Sequence, residues 1–226
     1  MQHVDVPPPT SVITSVFLAW ACGVAVIGAL TRLWKEVQPG HFKVIWLVAG
    51  GLSLAAGFGY HPAWALTLAS VITFAAIYRK ADRWAGAITA VLAVVLLLAG
   101  VDLDVTSVAG ALLLGAVTNA MLLGHWHLNQ PRLGTRPILR TVYALWAGVA
   151  VYAAAVTYLA LNSSGVGSLG AWTAVVFTAF AAVLTAPVHY LVRTRSIMSA
   201  TGILYLEILL CLVASFTGTL AALARG

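Results

Sequence analysis

From Val44 to Tyr78 the chain stays apolar for longer than one membrane crossing needs, with one break at Gly57-Phe58-Gly59-Tyr60-His61-Pro62. Glycines end one helix there, and Pro62 suits the first turn of the next, so the stretch reads as a hairpin of two short spans. The rest of the chain has the same character. Hydrophobic residues make up 62% of the 226 and charged ones 8%, with a mean hydropathy of +0.98, where a soluble domain carries roughly a quarter charged residues. This excludes a soluble fold and a disordered chain. Glycine has no period of three, and two cysteines make no disulfide framework. An all-α, polytopic integral membrane protein is the expected class, and at about 20 residues per span eight spans leave room only for short loops.

The first helix follows Val6-Pro7-Pro8-Pro9, with Thr10 or Ser11 as its cap, and runs to Leu33. Its N-terminal flank has neither a basic region nor a small-residue cleavage pattern, so the helix is expected to be retained. Further spans are expected over Trp84 to Val101, Val105 to His125, Ile138 to Leu161, Ala171 to Val192 and Ile197 to Leu223, eight in all.

The basic residues orient these spans, because cytoplasmic loops retain Lys and Arg during insertion. Arg32, Lys35 and Lys43 flank the first connection, Arg79, Lys80 and Arg83 the third, Arg132, Arg136 and Arg140 the fifth, and Arg193 and Arg195 the seventh; only Arg225 falls on the other side. Both termini are therefore expected outside a bacterial-type cytoplasmic (inner) membrane. The net charge of +6 reads as a topology signal, and no nucleic-acid partner is expected.

Shifting the chain by 92 positions pairs Thr14 with Thr106, Ser15 with Ser107, Ala19 with Ala111, Gly23 with Gly115 and Leu30 with Leu122, then Trp34 with Trp126, Gln38 with Gln130 and Pro39 with Pro131. The recurrence of Trp-x-x-x-Gln-Pro in one loop position points to a duplication. The expected organisation is a short arm over residues 1–10, one four-helix repeat over 11–101 and a second over 105–223. An even number of spans per repeat makes the two parallel, related by an axis along the membrane normal.

The register also locates the unusual polar residues. His125 stands opposite Leu33, His127 opposite Lys35 and Asn119 opposite Ile27, while His189 and Glu207 also lie in the second half. Glu207 is ten residues into the last span, at a depth of roughly 15 Å. A carboxyl at such a depth is costly unless neutral or paired, and is by default a functional candidate; its bland alternative is a hydrogen bond that glues helices. His125, His127 and His189 fall at cytoplasmic span ends, where histidines also simply suit the wet boundary. His125 and His127 point about 200° apart on a helix, so one at most should face the interior. Pro187 can kink the helix near His189.

The expected site thus has Glu207 as the proton-carrying, catalytic group and His125 or His127, His189, Asn119 and Tyr205 as cofactor-binding residues around a cavity opening to the cytoplasm, with Asn119 or Tyr205 as the partner of Glu207. Two facing imidazoles could ligate a haem b iron. A quinone needs only one donor, an apolar slot and a proton path, and ranks first. The expected function is a membrane subunit of a redox assembly with other membrane subunits as partners; a proton-coupled small-solute transporter and a structural scaffold are the alternatives. Helix-end histidines on eight spans resemble the haem A synthases in topology, but the first half lacks the paired membrane histidines of that family, and no family is assigned.

Cys22 and Cys211 read as small buried hydrophobes, Asp102 and Asp104 as a solvated turn, and Trp34, Trp46, Trp84, Trp126, Trp146 and Trp172 as interfacial anchors. Gly50-Gly51 and Gly110 with Gly115 permit close helix approach. No phosphate loop, nucleophile elbow, HExxH or nucleotide fingerprint occurs.

Overall fold

A computed structural model describes residues 7–100, 105–130 and 132–225. Asp102, Asp104 and Pro131 lie outside the described residues. These residues form eight α-helices and no strand: α1 (Pro9–Leu33), α2 (Pro39–Gly57), α3 (Ala63–Ala76), α4 (Asp82–Gly100), α5 (Val105–Trp126), α6 (Arg136–Asn162), α7 (Gly165–Arg193) and α8 (Ile197–Leu223), with a 3-10 turn over Ile77–Arg79. Seven are long and apolar enough to cross a membrane, as a multi-pass membrane protein requires. The exception is α3, whose 14 residues span about 21 Å at 1.5 Å per residue, short of the ~30 Å hydrocarbon core. The eight expected segments are thus eight helices, seven long apolar ones and, in the hairpin read as two short spans, one shorter apolar helix.

The starts of several helices reach further back than hydropathy suggests. Pro39 and Pro137 occupy the first turns of α2 and α6, where a fixed φ is already helical and the missing N–H has no intrahelical partner to lose. Polar side chains such as His41, Lys43 and Arg140 therefore sit inside helices. Helix α7 continues through Pro187.

Helix α1 packs against α2 and α4, α2 against α3, and α3 against α4; the same neighbour order recurs among α5, α6, α7 and α8, and α1 against α5 is the main seam between the two sets. At that seam a Cβ on Gly23 would collide with the Ala111 carbonyl, and one on Gly115 with the backbone of Gly23. The helices meet backbone to backbone, which is how helices gain dispersion contact where lipid supplies no hydrophobic drive. Ala19 and Gly23 on α1, and Ala111 and Gly115 on α5, supply the small residues four apart.

Hydrogen bonds between hydroxyls add to the packing: Ser53 meets Thr67 across α2 and α3 at 2.9 Å, and Thr73 meets Thr89 across α3 and α4 at 2.7 Å. The Trp20 indole N–H donates to Thr118 at 2.7 Å, and the Tyr152 hydroxyl to the Ala214 carbonyl at 2.8 Å. Large apolar side chains such as Leu47, Trp84, Ile88, Leu169 and Val183 remain exposed, as a lipid-facing perimeter would have it. Trp46, read as an interfacial anchor, is instead core, because its ring lies over Gly86 of α4, where no side chain obstructs it.

One end of the bundle gathers the basic connections. Arg32 at the end of α1 pairs with Asp82 at the start of α4, and Arg140 of α6 bonds Glu36 at 3.1 Å while its guanidinium stacks over Trp34. Gln130 accepts from the Gln38 backbone N–H at 3.2 Å and from the Trp126 indole at 3.3 Å. The first, third and fifth connections therefore meet.

Candidate functional site: a buried carboxyl between α7 and α8

Glu207 is fully buried midway along α8. Helices α7 and α8 form the most extensive helix pair of the molecule, and Thr185 of α7 lies opposite, its hydroxyl oxygen 2.5 Å from Glu207 Oε1. The same hydroxyl is 3.0 Å from the Ala181 carbonyl, one turn back. A hydroxyl has one proton, so an ionised Glu207 would compete with that carbonyl for it. Thr185 thus has one proton to share between Glu207 Oε1 and the Ala181 carbonyl. Glu207 Oε2 is buried with no hydrogen-bond partner. Ion pairs among the described residues join Arg32 to Asp82 and Arg140 to Glu36, and none reaches Glu207. Cys211, one turn further on, is also fully buried, so the surroundings are apolar.

The other expected site residues are distributed around the molecule. Asn119 is fully buried but belongs to the α1–α5 seam, where its Nδ2 donates to the Gly115 carbonyl at 2.8 Å and the Val24 carbonyl at 3.4 Å. Tyr205, two residues from Glu207 and so on another face of α8, is 49% exposed. The expectation that one of these two partners Glu207 is corrected to Thr185. His189, one turn beyond Thr185 on α7, is half-buried, with its ring edge-on to Tyr143 of α6 at 5.3 Å. His125 is exposed. His127 follows the end of α5 with a buried, unpartnered Nδ1, and burial holds its imidazole below the ordinary histidine pKa.

A haem b iron would need two imidazoles turned into a shared interior. His125 is exposed and His189 lies edge-on to Tyr143, so these two rings are not turned into one interior, while His127 has a buried, unpartnered Nδ1. Among the described residues no cluster of three or more His, Cys, Asp and Glu side chains is placed to hold a metal.

Two features escape the sequence reading. Thr185 is one of many threonines in apolar helices, and only the α7–α8 register singles it out. His41, 1% exposed in the first turn of α2, packs on Phe42 and Trp126 with its Nε2 unpartnered; the lysines and arginines around it in the sequence give no sign of that burial. Comparison of the chain with family models, with curated proteins and with solved structures found no match.

Proposed function

We propose that the chain is an integral membrane subunit of a redox assembly, with Glu207 as the group that takes up and releases a proton and a lipid-soluble quinone as the molecule whose reduction or oxidation needs that proton. One observation carries this reading: a carboxyl at mid-helix, fully buried, with one oxygen on Thr185 and the other on nothing. Ionisable groups inside a membrane are expensive and are found where a proton or charge must pass. The haem b form of the reading would need His127, with its buried Nδ1, rather than the exposed His125 beside His189.

The reading has a topology. The halves are taken as parallel repeats, and three observations support it: the common neighbour order of the helices, Gly23 against Gly115, and Gln38 against Gln130. Under the 92-residue shift these are pairs of equivalent positions, and equivalent positions touch only on a twofold axis. The basic end is taken as cytoplasmic, with both termini outside. A cysteine placed at Ser164 should then react with an impermeant reagent from outside and one at Gly134 only from the cytoplasm; the opposite pattern overturns the orientation.

A purely structural role is the second reading. It is favoured by the contact of the Thr185 hydroxyl with Glu207 Oε1 between α7 and α8, which helix packing alone would use. Exchange of Glu207 for Gln in the intact assembly separates the two. The redox reading requires quinone turnover to fall while the subunit still folds and associates; unchanged turnover leaves the carboxyl as helix glue. Proton-coupled solute uptake by vesicles holding this chain alone would move the assignment to a transporter.

A further inference from the structure

At the end of the bundle opposite the basic connections, a groove of about 500 Å³ runs along α6 beside the start of α5. Val151, Ala154, Ala155 and Tyr158 line it, spaced three and four apart and so on one face of α6. Val105, the first residue of α5, forms its other side. The two alanines leave the room that Val151 and Tyr158 frame, over about 10 Å at 1.5 Å per residue. The groove opens sideways, since Val105, Val151, Ala154 and Tyr158 are exposed. Arg225, two residues beyond the end of α8, also lines it. Among the described residues the ion pairs join Arg32 to Asp82 and Arg140 to Glu36 at the other end of the bundle, so Arg225 has no acidic partner there.

We propose that this groove holds one acyl chain of an anionic phospholipid whose phosphate is bound by Arg225. Helix length sets the level of the two parts. Helices α6 and α8 have 27 residues each, about 40 Å at 1.5 Å per residue, enough to cross the ~30 Å hydrocarbon core and enter the headgroup layers. Arg225, past the end of α8, stands at headgroup level. Val151 lies eleven residues in from the end of α6, about 16 Å deeper, in hydrocarbon. A molecule that satisfies both ends is anionic at the membrane surface and apolar below it, as a phospholipid is. A guanidinium takes a phosphate through two parallel N–H···O bonds, and the exposed Tyr158 suits the boundary between them. Positive charge at this end runs against the distribution of the other basic residues, so orientation of the chain does not account for Arg225. The site uses neither Glu207 nor Thr185, and it stands or falls apart from the proton-handling reading.

The test uses the full chain in maltoside micelles and a phosphatidylglycerol that carries a diazirine midway along one chain. Photolabelling should map to the α6 peptide that contains Val151 and Tyr158; lipid held by the basic connections labels other peptides. Labelling of α6 should fall about fivefold in Arg225→Gln, the effect of one basic group at an anionic lipid surface, and less in Arg225→Lys, which keeps the charge and loses the fork. Ala154→Phe should lower it at least as far by filling the groove. Both positions are exposed, so the variants keep the fold. Unlabelled phosphatidylglycerol should displace the probe at concentrations where diacylglycerol of the same chains does not. Absence of label from α6, or indifference to both Arg225→Gln and Ala154→Phe, overturns the proposal. Equal displacement by diacylglycerol overturns it in favour of a groove for acyl chains only, and equal displacement by oleate in favour of a site for any anionic amphiphile. A gain of labelling on changing Asp102 and Asp104, which precede Val105 in the sequence, to Asn would make those carboxylates the partners of Arg225 and overturn it as well.

Discussion

Gly23 of α1 and Gly115 of α5, 92 positions apart, touch backbone to backbone, and neither has space for a Cβ. The contact holds the two helix sets together at mid-membrane, and nothing flexible can yield there because the colliding atoms are main chain. Gly23→Ala and Gly115→Ala should each cost on the order of 1–3 kcal/mol, the usual range for overpacking. Gly134→Ala, in open space, serves as the control. Unfolding of the purified protein in mixed micelles reads the difference; equal stability of the seam variants and the control would mean that the helices separate freely.

The ion pair between Arg32 and Asp82 joins the end of α1 to the start of α4 with side chains 13% and 3% exposed, and a second contact from Arg32 Nη2 to Asp82 Oδ1 at 3.3 Å makes it two-pronged. Removing one partner strands the other in a poorly solvated place. Asp82→Ala should therefore destabilise by about 3–5 kcal/mol, and the double variant Asp82→Ala with Arg32→Met by clearly less. A double-mutant cycle on thermal unfolding measures this, and purely additive losses would show that the pair is not coupled.

Lys35, Lys80 and Arg195 have φ of 61°, 57° and 63°, the left-handed conformation that follows a helix end and that glycine ordinarily fills. All three lie in the connections with the basic residues. A charged residue in this conformation costs roughly 1 kcal/mol relative to glycine, a cost that its charge at the helix C-terminal dipole offsets only in part. Lys80→Gly should then raise the melting temperature slightly while reducing the fraction of molecules inserted in one orientation, as read by impermeant labelling. A fall in melting temperature would mean that the charge outweighs the strain.

The spans are legible in the sequence because each depends on an average over about 20 residues, and hydropathy with proline and glycine punctuation reports that average well. The shortness of α3 is partly visible in Gly57 to Pro62, which consumes residues a longer helix would need. The site depends on pairings that no average contains. Glu207 stands out by its chemistry alone, but its partner is set by how far α7 slides along α8, and a shift of one turn would bring a different residue than Thr185. Asn119 falls in a different seam from the one expected for the same reason: its position in the second half says nothing about its face, which points at α1. His41 is hidden by charged neighbours that mark a loop, whereas Pro39 begins the helix two residues earlier and turns the imidazole inward.

The Thr185–Glu207 contact yields the sharpest distinction between a working carboxyl and a packing one. Thr185→Val keeps the shape of the side chain and removes the hydroxyl, leaving both carboxyl oxygens of Glu207 unpartnered in an apolar surround; the cost should be about 1–3 kcal/mol. Thr185→Ser restores the hydroxyl and should restore most of that stability. Glu207→Leu exchanges the buried acid for an apolar residue of similar size and should be neutral or stabilising, because no buried polar group is then left without a partner except the Thr185 hydroxyl, which keeps the Ala181 carbonyl. Combining Glu207→Leu with Thr185→Val should abolish the penalty of the threonine change, as it must if that penalty acts through the carboxyl. Unfolding free energies of the four variants decide this. A penalty for Thr185→Val that persists unchanged in the Glu207→Leu background would show that the hydroxyl supports α7 itself, through Ala181, and that Glu207 is held in place by packing alone.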